Sequence, residues 1–279
     1  LSSSPDFDAN SMKATCSSPE EIVELHHQTK EKWPGRCWGD KDLAAKSGII
    51  HFHLSSQVRD EIIGSLKFVR ANGLKLNNIT QEDFRLPTLA REMPELRQRL
   101  DQGLGFVVVH TDLAETLSEQ EFEILGWAIC NYFGQIMRQG IDHDLRLFTV
   151  ADKGEANSDP TRIGASAKRS AKHSDNGCLE PRPPCYLGLF CYQSSDQGGE
   201  STIISAQSIL TTIMNERPDL LSHYFQTYHF RAPQSHVWPS KGPTIQKPIL
   251  EFKNGELMVH YARIMICLLY TSPSPRDFG

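Results

Sequence analysis

The spacing of hydrophobic and polar positions changes about halfway along the chain. Up to about residue 135, apolar residues recur every three or four positions, which predicts amphipathic helices. Ser-Pro-Glu-Glu and Ser-Glu-Gln-Glu sequences give capping signals in front of two of these stripes. The pattern predicts helices that begin near Ser18, at Ser55 or Ser56, at Pro87 and at Ser118.

From Leu145 onward, shorter apolar runs predict strands rather than helices. Asn254-Gly255 is a hairpin signal between the last two strands. One buried strand is predicted earlier, at 105–109, and Trp33 to Lys46 is predicted to be a loop. The later strands are predicted at 145–151, 185–192, 200–205, 226–232, 248–252 and 256–262, with a helix at about 206–215.

A helical layer followed by many short strands indicates the α+β class. The expected architecture is a β-sandwich or jelly roll (a double-stranded β-helix), with the helices packed outside and the chemistry inside the barrel. Residues 1–17 are Ser-rich and polar, and we expect them to be a disordered lead-in. The folded domain is expected to span 18–266.

Composition and charge limit the classes of partner and the cellular compartment that we expect for this protein. The net charge of -5 disfavours nucleic acid or an anionic membrane as the main partner. The seven cysteines lack the spacing of a zinc knuckle, and no apolar run is long enough for a membrane span. These features predict a cytoplasmic protein with reduced thiols. The oligomeric state, and any leader that precedes Leu1, stay open.

The candidate chemistry lies in His173-Ser174-Asp175. In an extended chain, residues two apart point to the same side, so the imidazole and the carboxylate would lie together. They are two of the three ligands in the 2-His-1-carboxylate triad of non-haem iron(II) oxygenases. A His-x-Asp triplet alone is a weak signal, because short motifs occur often by chance.

The residues that follow make the motif more specific. Pro183-Pro184, an apolar strand and Gly198-Gly199-Glu200-Ser201-Thr202 come after it in that order. With them the chain resembles the taurine-dioxygenase-like (TauD/TfdA) family of iron(II)/2-oxoglutarate-dependent oxygenases, which have the clavaminate-synthase-like fold. The resemblance extends more weakly back to Phe84 and forward to Tyr261.

The resemblance implies roles for four residues. His173 and Asp175 would bind Fe(II), and Ser201 would bind 2-oxoglutarate, with Thr202 as the alternative if the register slips by one. Fe(II), 2-oxoglutarate and dioxygen would be the cofactor and cosubstrates, with succinate as a product. The implied activity is hydroxylation of a small polar or amino-acid-like metabolite. No catalytic residue beyond the metal ligands is implied.

Other polar residues have simpler interpretations. Lys172 stands where relatives usually have an aromatic or apolar residue, and we expect it to point to solvent. His51 and His53 share a face without a nearby carboxylate, so we expect ordinary surface or core histidines.

The resemblance also implies a second histidine ligand and, shortly after it, an arginine that pairs with the far carboxylate of 2-oxoglutarate. Neither is found in this sequence in the expected surroundings. His260 is the last histidine, and its surroundings do not match those of the distal ligand. Residues 267–279 carry two prolines that a central strand could not accept, and they resemble translated adapter sequence. We therefore expect native sequence to end near Ile266, with the domain incomplete at its C-terminus and this fragment inactive.

Two other functions compete with the oxygenase. The first is a non-catalytic jelly-roll binding protein that lost its metal site in evolution. The second, a hydrolytic zinc enzyme, has less support, because two credible ligands and no motif with a catalytic base are present.

Overall fold

The structure is a computed structural model that describes residues 18–137, 147–151, 170–175, 184–231 and 244–266. The predicted lead-in (1–17) and tail (267–279) lie outside the described residues. The helices are α1 (Pro19–Lys32), α2 (Asp40–Ala44), α3 (Ser47–Ile50), α4 (Ser56–Ala71), α5 (Pro87–Asp101), α6 (Glu119–Phe133), α7 (Ala206–Glu216) and α8 (Leu221–Phe225). Of the helices in this part of the chain, none is both long enough and apolar enough to cross a membrane.

The described strands form three small sheets of two strands each. The strands are β1 (His51–His53), β2 (Val108–His110), β3 (Thr227–Arg231), β4 (Thr244–Pro248), β5 (Leu250–Lys253) and β6 (Glu256–Val259). β1 and β2 pair in parallel, whereas β3–β4 and β5–β6 are antiparallel. The fold is thus mixed helix and sheet, as the α+β prediction required. The described strands do not close into the predicted jelly roll.

The predicted capping signals are confirmed. The Ser18 hydroxyl accepts a hydrogen bond from the backbone N–H of Glu21 at 3.2 Å, at the start of α1. At the start of α6, Ser118 and Glu121 cap each other's backbone N–H groups. Such caps satisfy N–H groups that the first helical turn leaves without partners. Local sequence therefore fixes where these helices begin.

Helices α4, α5 and α6 share one hydrophobic core. The apolar stripe of α4 is buried as its spacing predicts, with Val58 and Ile62 at 0% exposure. It packs with α5 and α6, and Leu96 and Leu125 of those helices are also buried. The Tyr132 hydroxyl donates to the carbonyl of Phe84 and accepts from the N–H of Leu86. This bond network joins the end of α6 to the loop before α5.

A second core joins the first helix to the C-terminal half. Ile22 of α1 packs with Leu210 of α7 and with Leu250 and Phe252 of the β5–β6 hairpin. Asn254 and Gly255 form the hairpin turn with φ of 54° and 73°. This left-handed conformation is the one that Asn-Gly turns favour, so the hairpin signal is confirmed.

A buried histidine lies at the contact between α1 and α7. His26 is 3% exposed, and its Nε2 is 2.9 Å from the hydroxyl of Thr211. That hydroxyl donates to the carbonyl of Gln207, so it accepts from His26 Nε2–H. Nδ1 then carries the lone pair and has no partner among the described residues.

The extended segment 186–192 runs along α6 in the opposite direction. Two residues of extended chain span about 6.6 Å and four residues of helix about 6 Å, so alternate side chains can match successive helical turns. The matched pairs are Tyr186 with Phe133, Phe190 with Gly126, and Tyr192 with Phe122. Leu187 and Leu189 point away and are 55% and 69% exposed.

Some of the element predictions are wrong. Trp33 to Lys46, predicted to be a loop, contains a 3₁₀ helix at Pro34–Arg36 and helix α2. The Asp42 carboxylate caps the N–H of Gly39 at 2.9 Å and so stabilises the start of α2. The strand predicted at 105–109 is shorter than expected, because β2 spans only Val108–His110. It is also not buried, since Val108 is 40% exposed. Residues 147–151, 185–192 and 200–205 form no strand, since their backbone pairs with no strand in the described part of the chain.

Acidification should loosen the contact between α1 and α7. Burial, aided by Lys30 and His27, lowers the pKa of His26 below the ordinary imidazole value. The unfolded chain therefore takes up the proton first as the pH falls through about 6.5. We expect the free energy of unfolding to be fully retained above this pH and to fall below it. His26→Gln, which keeps a donor for Thr211, should weaken that dependence.

Urea denaturation at pH 7.5 and 5.5 measures the effect. His223→Gln, at an exposed position of α8, is the control and should leave the pH dependence nearly unchanged. An equal pH dependence in the native chain and in His26→Gln would contradict the assignment.

Two helical glycines should respond differently to alanine. A Cβ at Gly64 in α4 would contact nothing within 4 Å, whereas a Cβ at Gly126 in α6 would lie 3.3 Å from the Phe190 ring. Replacing glycine inside a helix gains about 0.5–1 kcal/mol from backbone entropy. We expect Gly64→Ala to show this gain in urea denaturation and Gly126→Ala to show less, because Phe190 has to move. Equal gains would mean that segment 186–192 does not pack on α6.

Candidate metal centre

The His173–Asp175 segment lies beside the chain that continues from β6. The N–H of Ser174 donates to the carbonyl of Tyr261 at 2.7 Å, and His173 forms an antiparallel bridge with Ala262. The N–H of His260 donates in turn to the carbonyl of Ile249 at 2.8 Å. The triplet is therefore joined by one β-bridge and by hydrogen bonds to the chain that follows the β5–β6 hairpin, which the second core holds in place.

His173 and Asp175 lie on the same side, as their two-residue spacing predicts. His173 Nε2 is 3.1 Å from Asp175 Oδ1, and the two side chains are 40% and 43% exposed. Lys172, between Ala171 and His173, is exposed, in agreement with the sequence-based expectation. The structure thus brings together the two residues proposed as metal ligands.

The hydrogen bonds of His173 suit a metal ligand. Nδ1 is 2.6 Å from the carbonyl oxygen of Ala171, and since a carbonyl can only accept, Nδ1 carries the proton. Nε2, the ring nitrogen left to bind a metal, faces the Asp175 carboxylate at 3.1 Å. A histidine that binds a metal usually donates its other N–H in this way.

The distance between the two atoms also fits a shared cation. Ligand atoms about 2.1 Å from a metal and at right angles to each other are about 3.0 Å apart. His173 Nε2 and Asp175 Oδ1 meet this spacing at 3.1 Å. The donor set of one imidazole nitrogen and one carboxylate oxygen fits Fe(II) with little rearrangement.

The predicted 2-oxoglutarate residues are at the surface. Gly198 and Gly199 adopt φ of 75° and 82°, a left-handed turn that favours glycine. Ser201 and Thr202, which follow this turn, are exposed. Within the described ranges, no hydrogen bond or ion pair joins either residue to His173 or Asp175.

His260 faces the interior of the protein. It is 1% exposed, and its Nε2 is 3.1 Å from the Glu251 carboxylate on β5. The hydrogen bond with His260 lowers the pKa of Glu251 although burial of the carboxyl opposes the shift. Because its Nε2 bonds to Glu251, His260 stabilises the hairpin. Among the described residues, it does not form a three-residue metal site with His173 and Asp175.

A histidine cluster that sequence reasoning missed lies on β1 and β2. His51 Nδ1 is 2.8 Å from His110 Nε2, and the His53 ring stacks on His110 with centroids 4.3 Å apart. The parallel register places His53 opposite His110, which sequence spacing alone could not reveal. Among the described residues, no group of three or more His, Cys, Asp or Glu side chains, these included, is arranged to hold a metal ion.

A cavity of about 260 Å³ lies apart from the candidate ligands, between the end of α5 and the start of α7. The Tyr186 hydroxyl donates to the Asp101 carboxylate at 2.6 Å on its wall. Burial and this contact raise the pKa of Tyr186 to about 12. Trp38 and Gln207 also line the cavity. Nothing in the sequence pattern indicated that these distant residues meet.

Two curated proteins are similar to this chain. FR-33289 synthase of Streptomyces rubellomurinus is 23% identical over 212 residues, which cover 75% of this chain and 59% of the relative. Taurine hydroxylase-like protein SAT17 of Stachybotrys chartarum is 24% identical over 214 residues, which cover 72% of this chain and 51% of the relative. The chain thus spans little more than half the length of these relatives.

A family model matches the central part of the sequence. The match covers residues 72–261, which include the His173–Asp175 pair, the Gly198-Gly199 turn and the β5–β6 hairpin. This is well over half of the chain, and the chain therefore belongs to the taurine catabolism dioxygenase TauD, TfdA family.

Proposed function

We propose that the native protein that carries this sequence, called the parent protein below, is an Fe(II)/2-oxoglutarate-dependent dioxygenase. The observation that supports this function best is the 3.1 Å approach of His173 Nε2 to Asp175 Oδ1, with Nδ1 held on the Ala171 carbonyl. Family membership and the relatives' names, a synthase and a taurine hydroxylase-like protein, support an oxygenase.

The proposal gives each residue a limited task. His173 and Asp175 hold Fe(II), and the anionic carboxylate neutralises part of its charge. The Ser201 hydroxyl, or Thr202 in the alternative register, donates a hydrogen bond to 2-oxoglutarate. Bound iron and 2-oxoglutarate supply the oxidative chemistry, in which decarboxylation to succinate accompanies hydroxylation of a substrate C–H bond. The protein itself contributes placement.

We extend the proposal to the fold and the substrate. The parent protein would form the jelly roll of the family. Its substrate would be a small polar or amino-acid-like metabolite. Because His173 and Asp175 are the two candidate ligands among the described residues, we propose that the 279-residue chain alone holds iron weakly and turns over little.

A non-catalytic binding protein is the second candidate. One observation favours it: in the described ranges, no third His, Cys, Asp or Glu completes a metal site with His173 and Asp175. A pseudoenzyme would keep the fold and the pair but lack the metal-dependent activity.

Anaerobic addition of Fe(II) and 2-oxoglutarate to the parent protein should give a weak charge-transfer band in the visible spectrum. Because the band requires iron held by the protein, we expect His173→Ala and Asp175→Ala to abolish it. Lys172→Ala, an exposed neighbour, is the control and should retain the band. The absence of a band in the intact protein would favour the pseudoenzyme.

Ser201→Ala should raise the KM for 2-oxoglutarate about tenfold in the parent protein, with little change in kcat. A hydrogen bond to a charged group contributes about 1.5 kcal/mol, which corresponds to this factor. Steady-state succinate formation at varied 2-oxoglutarate measures it. Thr202→Ala should have little effect, and the reverse outcome would assign the contact to Thr202.

A further inference from the structure

Ser174, the middle residue of the triplet, points away from the candidate ligands. Alternate side chains of an extended chain face opposite sides, so Ser174 turns toward the hairpin while His173 and Asp175 turn outward. The Ser174 hydroxyl donates to the carbonyl of Val259 at 2.9 Å and accepts from the N–H of Tyr261 at 2.9 Å. The side chain is half-buried.

These two bonds add to the backbone bond between Ser174 N–H and the Tyr261 carbonyl. Three hydrogen bonds therefore converge on one residue and join segment 173–175 to Val259 and Tyr261. The hairpin behind them is fixed by the buried His260–Glu251 pair and by Leu250 and Phe252 in the second core. The ligand pair is thus connected to packed structure through the residue between its members.

We infer that Ser174 is a positioning residue that sets the spacing of His173 and Asp175 for metal binding. This inference rests on the proposed function, since it gives Ser174 a role toward the proposed iron. Without the hydroxyl, the Val259 carbonyl and the Tyr261 N–H lose a partner, and the segment keeps only its backbone pairing with Tyr261 and Ala262. Groups that orient a ligand without touching the metal usually change metal affinity by tenfold or more.

Three substitutions separate positioning from general stability. Ser174→Ala removes the hydroxyl, and Ser174→Thr keeps it on a side chain that suits an extended segment. Ser65→Ala is the matched control, because Ser65 is buried and its hydroxyl donates to the Arg85 carbonyl far from the triplet. If Ser174→Ala fails to fold, Ser174→Cys replaces it, since a thiol is a weak donor of similar size.

The first measurement is made on the full 279-residue chain without metal. Long-range ¹H–¹⁵N correlation spectra of the His173 ring report which nitrogen carries the proton. We expect the native chain, Ser65→Ala and Ser174→Thr to show one ring state with the proton on Nδ1. Ser174→Ala should show averaged ring signals, because the segment no longer holds one orientation.

The second measurement is a Mn²⁺ titration of the same chain, followed by the EPR signal of the free ion. Binding that is lost in a His173→Ala/Asp175→Ala double variant is assigned to the pair. We expect Ser174→Ala to weaken this binding about tenfold, and Ser174→Thr and Ser65→Ala to stay within about threefold of the native chain.

Each outcome decides a different point. The positioning role would be overturned if the ring signals and the Mn²⁺ affinity change no more in Ser174→Ala than in Ser65→Ala. Mn²⁺ binding that does not depend on His173 and Asp175 would overturn the proposed metal site. In that case the ring spectra still decide whether Ser174 orients His173.

Discussion

The two-residue alternation of an extended chain organises both the candidate site and the surface next to α6. In the triplet it turns His173 and Asp175 outward and Ser174 toward the hairpin. In segment 186–192 it presents alternate side chains to α6, and Phe190 lies against Gly126. One backbone geometry thus separates residues that contact the protein's own structure from residues whose side chains are exposed.

Local signals in the sequence were sufficient for the long helices and for one hairpin. Ser118 with Glu121 and the Asn254-Gly255 turn act within a few residues, so their outcome does not depend on the rest of the fold. The closeness of His173 to Asp175 was predictable for the same reason. It follows from two-residue spacing, whatever strand lies beside it.

Contacts between distant segments could not be read from the sequence. His110 meets His51 and His53 through the parallel register of β1 and β2, and Tyr186 meets Asp101 across 85 positions. Strand pairing has the same non-local character, and this explains why the apolar run at 185–192 predicted a strand where the described residues provide no neighbour for its backbone. Ser174 is another example, since its spacing gave no sign of its bonds to Val259 and Tyr261.

The contacts of α1 have a consequence for the order in which the chain folds during synthesis. His26 bonds to Thr211 across 185 positions, and the Thr29 hydroxyl reaches the Gly255 carbonyl across 226. Helix α1 leaves the ribosome long before α7 and the hairpin, whereas the core of α4, α5 and α6 can form from nearby sequence. Contacts of such long range are slow to form. Helix α1, made before the other described helices, is therefore among the last of them to dock, and until then the apolar side chain of Ile22 lacks its packing partners in the second core.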